Sequence, residues 1–360
     1  MNPLLTALLF APLVTLHAAE SLAALHAAEL KLAAVFTDHA VLQREAAVPV
    51  WGWADAGAEV KVDFAGQTKT AKADATGKWM VKLDPLKTSA EPQKFTVTAG
   101  KSSVVLNDIL VGEVWLGSGQ SNMAGPVRTY KVNDEGLRQT LAAAPYPRIR
   151  LITQGGKGWQ LATAANVDAF SAILFAFVSR LQKPLDVPVG LMVGAVGGTQ
   201  SGFWLTEDMY HGDAACMAQV KKFAAMYDFA AAMKGYERYM VAWKASAEKA
   251  KQTGARAGRE PTPPKQAGEC IGEIGHLYTA HVQTYVPYAI RGVLWDQGEG
   301  GTGITGVDQH HVMGAHPRLA QGLGTGLSFP LHAEAQRRRH RVGSRESNHE
   351  KRQPLQRTTC

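Results

Sequence analysis

Three short apolar runs in this sequence each end in a turn whose residues could do acyl chemistry. Val114-Trp115-Leu116 leads into Gly117-Ser118-Gly119-Gln120-Ser121-Asn122-Met123, Val189–Val193 into Gly197-Gly198-Thr199, and Ile290–Trp295 into Gln297-Gly298-Glu299. A serine on a strand-to-helix turn exposes its hydroxyl where a helix N-terminus favours developing negative charge, as an acyl-transfer nucleophile requires. Neighbouring glycines let backbone N–H groups approach an oxyanion. Ser121 is therefore the candidate nucleophile. The stretch is not the GxSxG elbow, because Met123 stands where the last glycine belongs. Taken alone, a serine among glycines is also ordinary turn chemistry. The coincidence of three such turns favours the chemical reading.

The elements around the turns say how they could meet. Ile149–Ile152 is a further strand candidate, and Ala169–Leu181 carries Phe170, Ile173, Phe177, Val178 and Leu181 at helical spacing. Strands alternating with helices predict a mostly parallel α/β sheet, which collects its ligands at the carboxyl ends of its strands. Upstream, Val60, Val62 and Phe64, then Trp79, Val81 and Leu83, alternate with polar neighbours between glycine turns, the pattern of a small antiparallel β-sandwich. Met217–Lys251 reads as an amphipathic helical insertion with Met226, Phe229, Met233, Tyr236, Met240 and Trp243 on one stripe, and residues 252–268 as a Pro/Gly-rich loop. Packing on the domain is favoured over partner binding for that stripe.

The residues Gly112-Glu113-Val114-Trp115-Leu116-Gly117-Ser118-Gly119-Gln120-Ser121-Asn122-Met123 resemble the first motif block of the sialate O-acetylesterase family, a branch of the SGNH hydrolases. Gly197-Gly198-Thr199 with Trp204 resembles its second block, and Pro287 to Glu299 (PYAIRGVLWDQGE) its third. Val35-Phe36-Thr37-Asp38 and Val41-Leu42-Gln43-Arg44 are similar to the β-domain that precedes the catalytic domain in these proteins. The resemblance runs from about residue 32 to about residue 315. It implies a flavodoxin-like, three-layer SGNH α/β domain at 109–315, with the helical insertion at about 205–268, preceded by a β-sandwich at 33–108. It also implies removal of O-acetyl groups from sugars, with Ser121 attacking the acetyl carbonyl and no metal or organic cofactor. Ser121, Gly197 and Gly198 would supply the oxyanion hole, with Gln120, Asn122, Gln297 and Glu299 in support. A histidine with a carboxylate partner would activate the serine. Two positions depart from the family pattern: Glu299 is followed by Gly300-Gly301 and not by an asparagine, and the family's downstream Asp-x-x-His block is missing, so the α/β domain reads as C-terminally incomplete. These departures motivate an alternative, a non-catalytic carbohydrate-binding pseudoenzyme.

Near residue 315 the composition changes. Residues 316–360 hold nine of the chain's 38 Lys and Arg but three of its 31 Asp and Glu, and include Arg337-Arg338-Arg339-His340-Arg341. The formal charge of +7 thus belongs mostly to a tail, and the preceding residues are close to neutral, which argues against a nucleic-acid partner. An out-of-frame tail is the expectation, with a solvated or disordered one the alternative. Several patterns here lack the context that would give them meaning. Gly301–Gly306 matches GxGxxG with no acidic residue about twenty positions on. Asp308 and His311 have Asp-x-x-His spacing but lie close behind the third block. His310, His311 and His316 lack the companions of a metal site. Three scattered cysteines, Cys216, Cys270 and Cys360, form neither a disulfide framework nor a CxxC site. Residues 4–16 (LLTALLFAPLVTL) have the length of a signal-peptide core and precede small residues at 18–19, so export with a leader at 1–19 is expected. That run is too short to span a bilayer. The alternatives are a buried N-terminal helix and a misassigned start. Oligomeric state leaves no signature.

Overall fold

The computed structural model describes residues 30–212, 214–269 and 274–297, together with Gly303 and Thr305. The expected leader, Glu299, Asp308, His310, His311, His316 and the basic tail lie outside the described residues.

The first third of the described chain is built of strands: β1 (Lys31–Leu32), β2 (Val41–Gln43), β3 (Val48–Trp53), β4 (Glu59–Phe64), β5 (Gln67–Lys72), β6 (Lys78–Leu83) and β7 (Ser89–Ala99). The period-2 pattern works as expected. In β4 the side chains of Val60, Val62 and Phe64 are buried, and in β6 those of Trp79, Val81 and Leu83, while their neighbours face outward. β1, β3 and β6 form one antiparallel sheet. β5, β4 and β7 pair antiparallel and hand over to β8 (Ser102–Gly119).

β8 is 18 residues long and belongs to two environments. Residues 102–108 alternate between half-buried and exposed, as in a strand with one covered face. From Ile109 to Gly119 almost every residue is buried, as in a strand covered on both faces. The change of character placed at residues 108–109 thus falls inside one continuous strand. Asp108 sits at that point with a left-handed φ of +56°, where the pairing with β7 also shifts register. Its carboxylate accepts from His39 Nδ1 at 2.7 Å and from Arg150 Nη2 at 3.0 Å. Five residues on, the buried Glu113 carboxylate accepts from Arg44 Nη2 at 2.9 Å, with Arg291 Nε at 3.6 Å.

Beyond β8 the chain alternates helices and strands: α1 (Ser121–Ala124), α2 (Val127–Tyr130), α3 (Glu135–Ala142), β9 (Tyr146–Thr153), β10 (Gln160–Ala162), α4 (Ala164–Ala169), α5 (Ala172–Leu185), β11 (Val189–Ala195), α6 (Glu207–Gly212), α7 (Ala214–Ala224), α8 (Phe229–Thr253), α9 (His276–His281) and β12 (Gly292–Asp296). β9, β11, β8 and β12 lie side by side and parallel, within one nine-stranded mixed sheet. The fold is mixed α/β. α5 covers one face with Leu174, Phe175 and Val178, which pack with Met123, Leu191 and Val193. Among the described residues no helix is long and apolar enough to cross a membrane.

Two helices differ from the sequence expectation. The pattern from Ala169 to Leu181 predicts one helix, but Ser171 interrupts it: its hydroxyl accepts from Leu174 N at 3.2 Å, so α5 starts afresh at Ala172. The stretch 217–251 likewise divides into α7 and α8, because Asp228 caps α8 through Ala231 N at 2.9 Å. Met226 falls in that break and is 73% exposed, so it does not share the stripe assigned to it. Met233, Tyr236, Met240 and Trp243 are half-buried, and Ala250 alone is buried in α8 among the residues described.

Glu113→Ala should lower the unfolding free energy by about 3 kcal/mol, because it leaves the part-buried Arg44 without its main counter-charge. Urea denaturation of both proteins measures this, and a change below about 1 kcal/mol would contradict the account.

Candidate active site

The ends of β8, β11 and β12 meet at Gly119. Asp296 and Ala195 are its register partners on either side. The Gln120 N–H donates to the Asp296 carbonyl at 2.9 Å, and the Val196 N–H to the Gly119 carbonyl at 3.0 Å. Gly119 has φ +124°, and a Cβ there would stand 1.9 Å from the Asp296 carbonyl oxygen, so only glycine closes this junction. Ser121 follows as the first residue of α1 with its side chain exposed. Its N–H has no acceptor within the helix.

The second turn lies directly against the serine. A Cβ on Gly197 would come 3.4 Å from Ser121 Cβ and 3.5 Å from Ser121 Cα, so the absent side chain keeps the space beside the hydroxyl open. Gly198 has φ +73° with nothing near its missing side chain. The structure thus brings Gly197 against Ser121, with Gly198 next in the chain.

Thr199 pins this glycine turn. Its hydroxyl donates to the Val196 carbonyl at 2.8 Å and accepts from Trp204 Nε1 at 3.3 Å. Its carbonyl accepts from Gln297 Nε2 at 2.6 Å. Gln297 therefore ties the end of β12 to the glycine turn. The supporting residue Asn122 donates from Nδ2 to Asp296 Oδ1 at 3.3 Å, fastening α1 to β12. Gln120 is buried, and its backbone makes the bond to Asp296. Glu299, expected beside it, lies outside the described residues. Beneath the serine, Ser118 Oγ donates to the Gly194 carbonyl at 2.8 Å.

Sequence reasoning missed two of these parts. The Thr199 hydroxyl was legible in principle, since Ser and Thr in turns bond their own backbone a few residues away. The Asn122–Asp296 bond links positions 174 residues apart and has no local signal. Two histidines on α9 were also unmarked. His276 packs on Phe203 with ring centroids 4.7 Å apart, and His281 lies 6.0 Å from the Trp204 ring. Burial, then the nearby His276, holds the His281 imidazole below its ordinary value. Among the described residues no group of three His, Cys, Asp or Glu is arranged to hold a metal ion.

Known proteins with similar sequences point the same way. The mouse sialate O-acetylesterase is 29% identical over 206 residues, covering 48% of this chain and 37% of its own length. The human enzyme is 28% identical over 206 residues, covering 48% and 38%. The chain is a homologue of the sialate O-acetylesterases. It spans less than two-fifths of the length of these relatives. Among solved structures, a carbohydrate acetylesterase from Xanthomonas citri is similar, with a TM-score of 0.53 and 26% identity, covering 76% of this chain and 52% of that one. No family model matches.

The lowered His281 value has a sign that can be tested. The unfolded chain takes up a proton near pH 6.5 before the folded one does, so the contribution is complete above that pH and lost as pH falls below it. Thermal unfolding at pH 7.5 and 5.5 should show a larger drop for the wild type than for His281→Gln; equal drops would remove the assignment.

Proposed function

We propose that the protein is a carbohydrate esterase that removes O-acetyl groups from sugars with Ser121 as nucleophile. The observation that carries this reading is the exposed Ser121 at the end of β8, with the side-chain-free Gly197 packed against it. The similarity to sialate O-acetylesterases supports the substrate class. In the same reading, residues 109–315 form a three-layer SGNH domain, residues 33–108 a β-sandwich, and the chain is exported.

Ser121 Oγ attacks the acetyl carbonyl while a base takes its proton. The carbonyl oxygen becomes an oxyanion that accepts from the N–H groups of Ser121 and of Gly197 or Gly198. Because α1 is a single turn, these individual donors carry the stabilisation and the helix dipole adds little. Collapse expels the sugar hydroxyl, which receives the proton, and leaves acetyl-Ser121. Water then releases acetate by the same steps. Asp308 and His311, which match the Asp-x-x-His spacing but lie close behind the third block, are outside the described residues. The chemistry calls for no cofactor.

Ser121→Ala should lower hydrolysis of a small acetyl ester and acetate release from an O-acetylated sialoside by about a thousandfold or more. Equal rates in the two proteins would overturn the serine mechanism. Absence of turnover in both, with sugar binding kept, would favour the non-catalytic alternative. His311→Ala tests the base: an unchanged rate would exclude that histidine.

A further inference from the structure

The three-stranded sheet carries a second surface that the esterase reading does not use. In β3, Val48 and Val50 point into the core, so Pro49, Trp51 and Trp53 share the opposite face. In β6 the same face carries Lys78, Met80 and Lys82. The register places Trp51 across from Met80, and Trp53 between Lys78 on one side and Lys31 of β1 on the other. Trp53 is 42% exposed and Met80 45%. Trp51 is half-buried and held edge-on by Phe36, with ring centroids 4.9 Å apart. The result is an apolar strip, two indoles and a thioether, bordered by ammonium groups at both ends.

Cross-strand Trp–Lys pairs also steady a sheet, and that alone accounts for their adjacency. It does not account for indole and thioether left open side by side. Asp74, beside Lys78, accepts from the Thr76 N–H and hydroxyl and from the Lys78 N–H, and its charge also attracts the Lys78 ammonium, which stays exposed beside Trp53. Asp84, beyond Lys82, pairs with Lys69 Nζ at 2.7 Å. Lys31 has an interaction of its own, which leaves Lys78 as the cation beside Trp53.

We propose that this face binds an acidic carbohydrate, with a sugar ring stacked on Trp53 and its carboxylate paired with Lys78, the register partner of Trp53. A pyranose presents a face of C–H groups that suits an indole. A carboxylate on the same ring matches the charge at the rim. The site is separate from Ser121 and stands or falls independently of the esterase reading.

The test is affinity electrophoresis of the full chain through gels containing polysialic acid or neutral dextran. The arginine-rich run at 337–341 attracts any polyanion, so dependence on Trp53 is the readout and not retardation itself. Trp53→Ala should weaken binding to polysialic acid tenfold or more, Trp53→Phe should retain most of it, and Lys78→Gln should weaken it severalfold. Acetyl-ester hydrolysis by Trp53→Ala should equal that of the wild type, whatever the wild-type rate. Trp53→Ala binding polysialic acid like the wild type would overturn the proposal. So would equal retardation by dextran, or the same Trp53 dependence with double-stranded DNA in place of the sugar polymer. An unchanged melting temperature for Trp53→Ala confirms that the exposed site, and not folding, was altered.

Discussion

The hydrogen bond from the Gln120 N–H to the Asp296 carbonyl holds the serine turn to the end of β12, and it forms only because Gly119 lets the two backbones approach so closely. Everything around Ser121 is arranged from this junction. The Val196 N–H closes the other side of Gly119, which sets the glycine turn beside the serine. Gln297, one residue past Asp296, then reaches the Thr199 carbonyl, so the turn after β11 is fixed to the end of β12 as well as to β8. Three chain segments distant in sequence are thereby locked by short backbone and amide bonds, with little reliance on long flexible side chains.

The strand that bears this junction also joins the two halves of the described chain. β8 passes from a sheet with one covered face into one covered on both, and a carboxylate near each side of the transition is held by two side chains. Asp108 is held by His39 and the buried Arg150, and Glu113 by Arg44 and Arg291. Both carboxylates thus take one partner from the early β segment and an arginine from the later α/β segment. In a largely apolar environment such pairs add modest net stability but disfavour any arrangement that separates the partners. They favour one register for β8 over its neighbours.

Much of this was legible in the residues. Alternation in β4 and β6 and the continuous apolar run in β11 follow directly from which faces are wet. The ends of the three apolar runs do converge, because parallel strands carry their ends to one edge. What failed was helix continuity. Ser171 and Asp228 offer side-chain acceptors that restart a helix, and an apolar spacing pattern takes no account of them. The unity of β8 was hidden for a related reason: its two halves show different burial patterns, and a change of pattern reads as a boundary even where the backbone is continuous. The Asn122–Asp296 bond had no local signal, since each residue is unremarkable in its own neighbourhood.

The span between Gly119 and Asp296 has a consequence for the order of assembly. The first partners of β8 lie close in sequence: β7 meets it through a short hairpin, so that ladder can form as soon as both strands have been synthesised. β11 pairs next, and β12 completes the set only when residue 296 is present. Gln120 and Gly119 therefore wait for a partner about 177 residues downstream. The nucleophile turn is among the last parts of the described chain to acquire its shape, and a nascent chain held short of β12 would carry Ser121 without the geometry that sets it apart from any other surface serine.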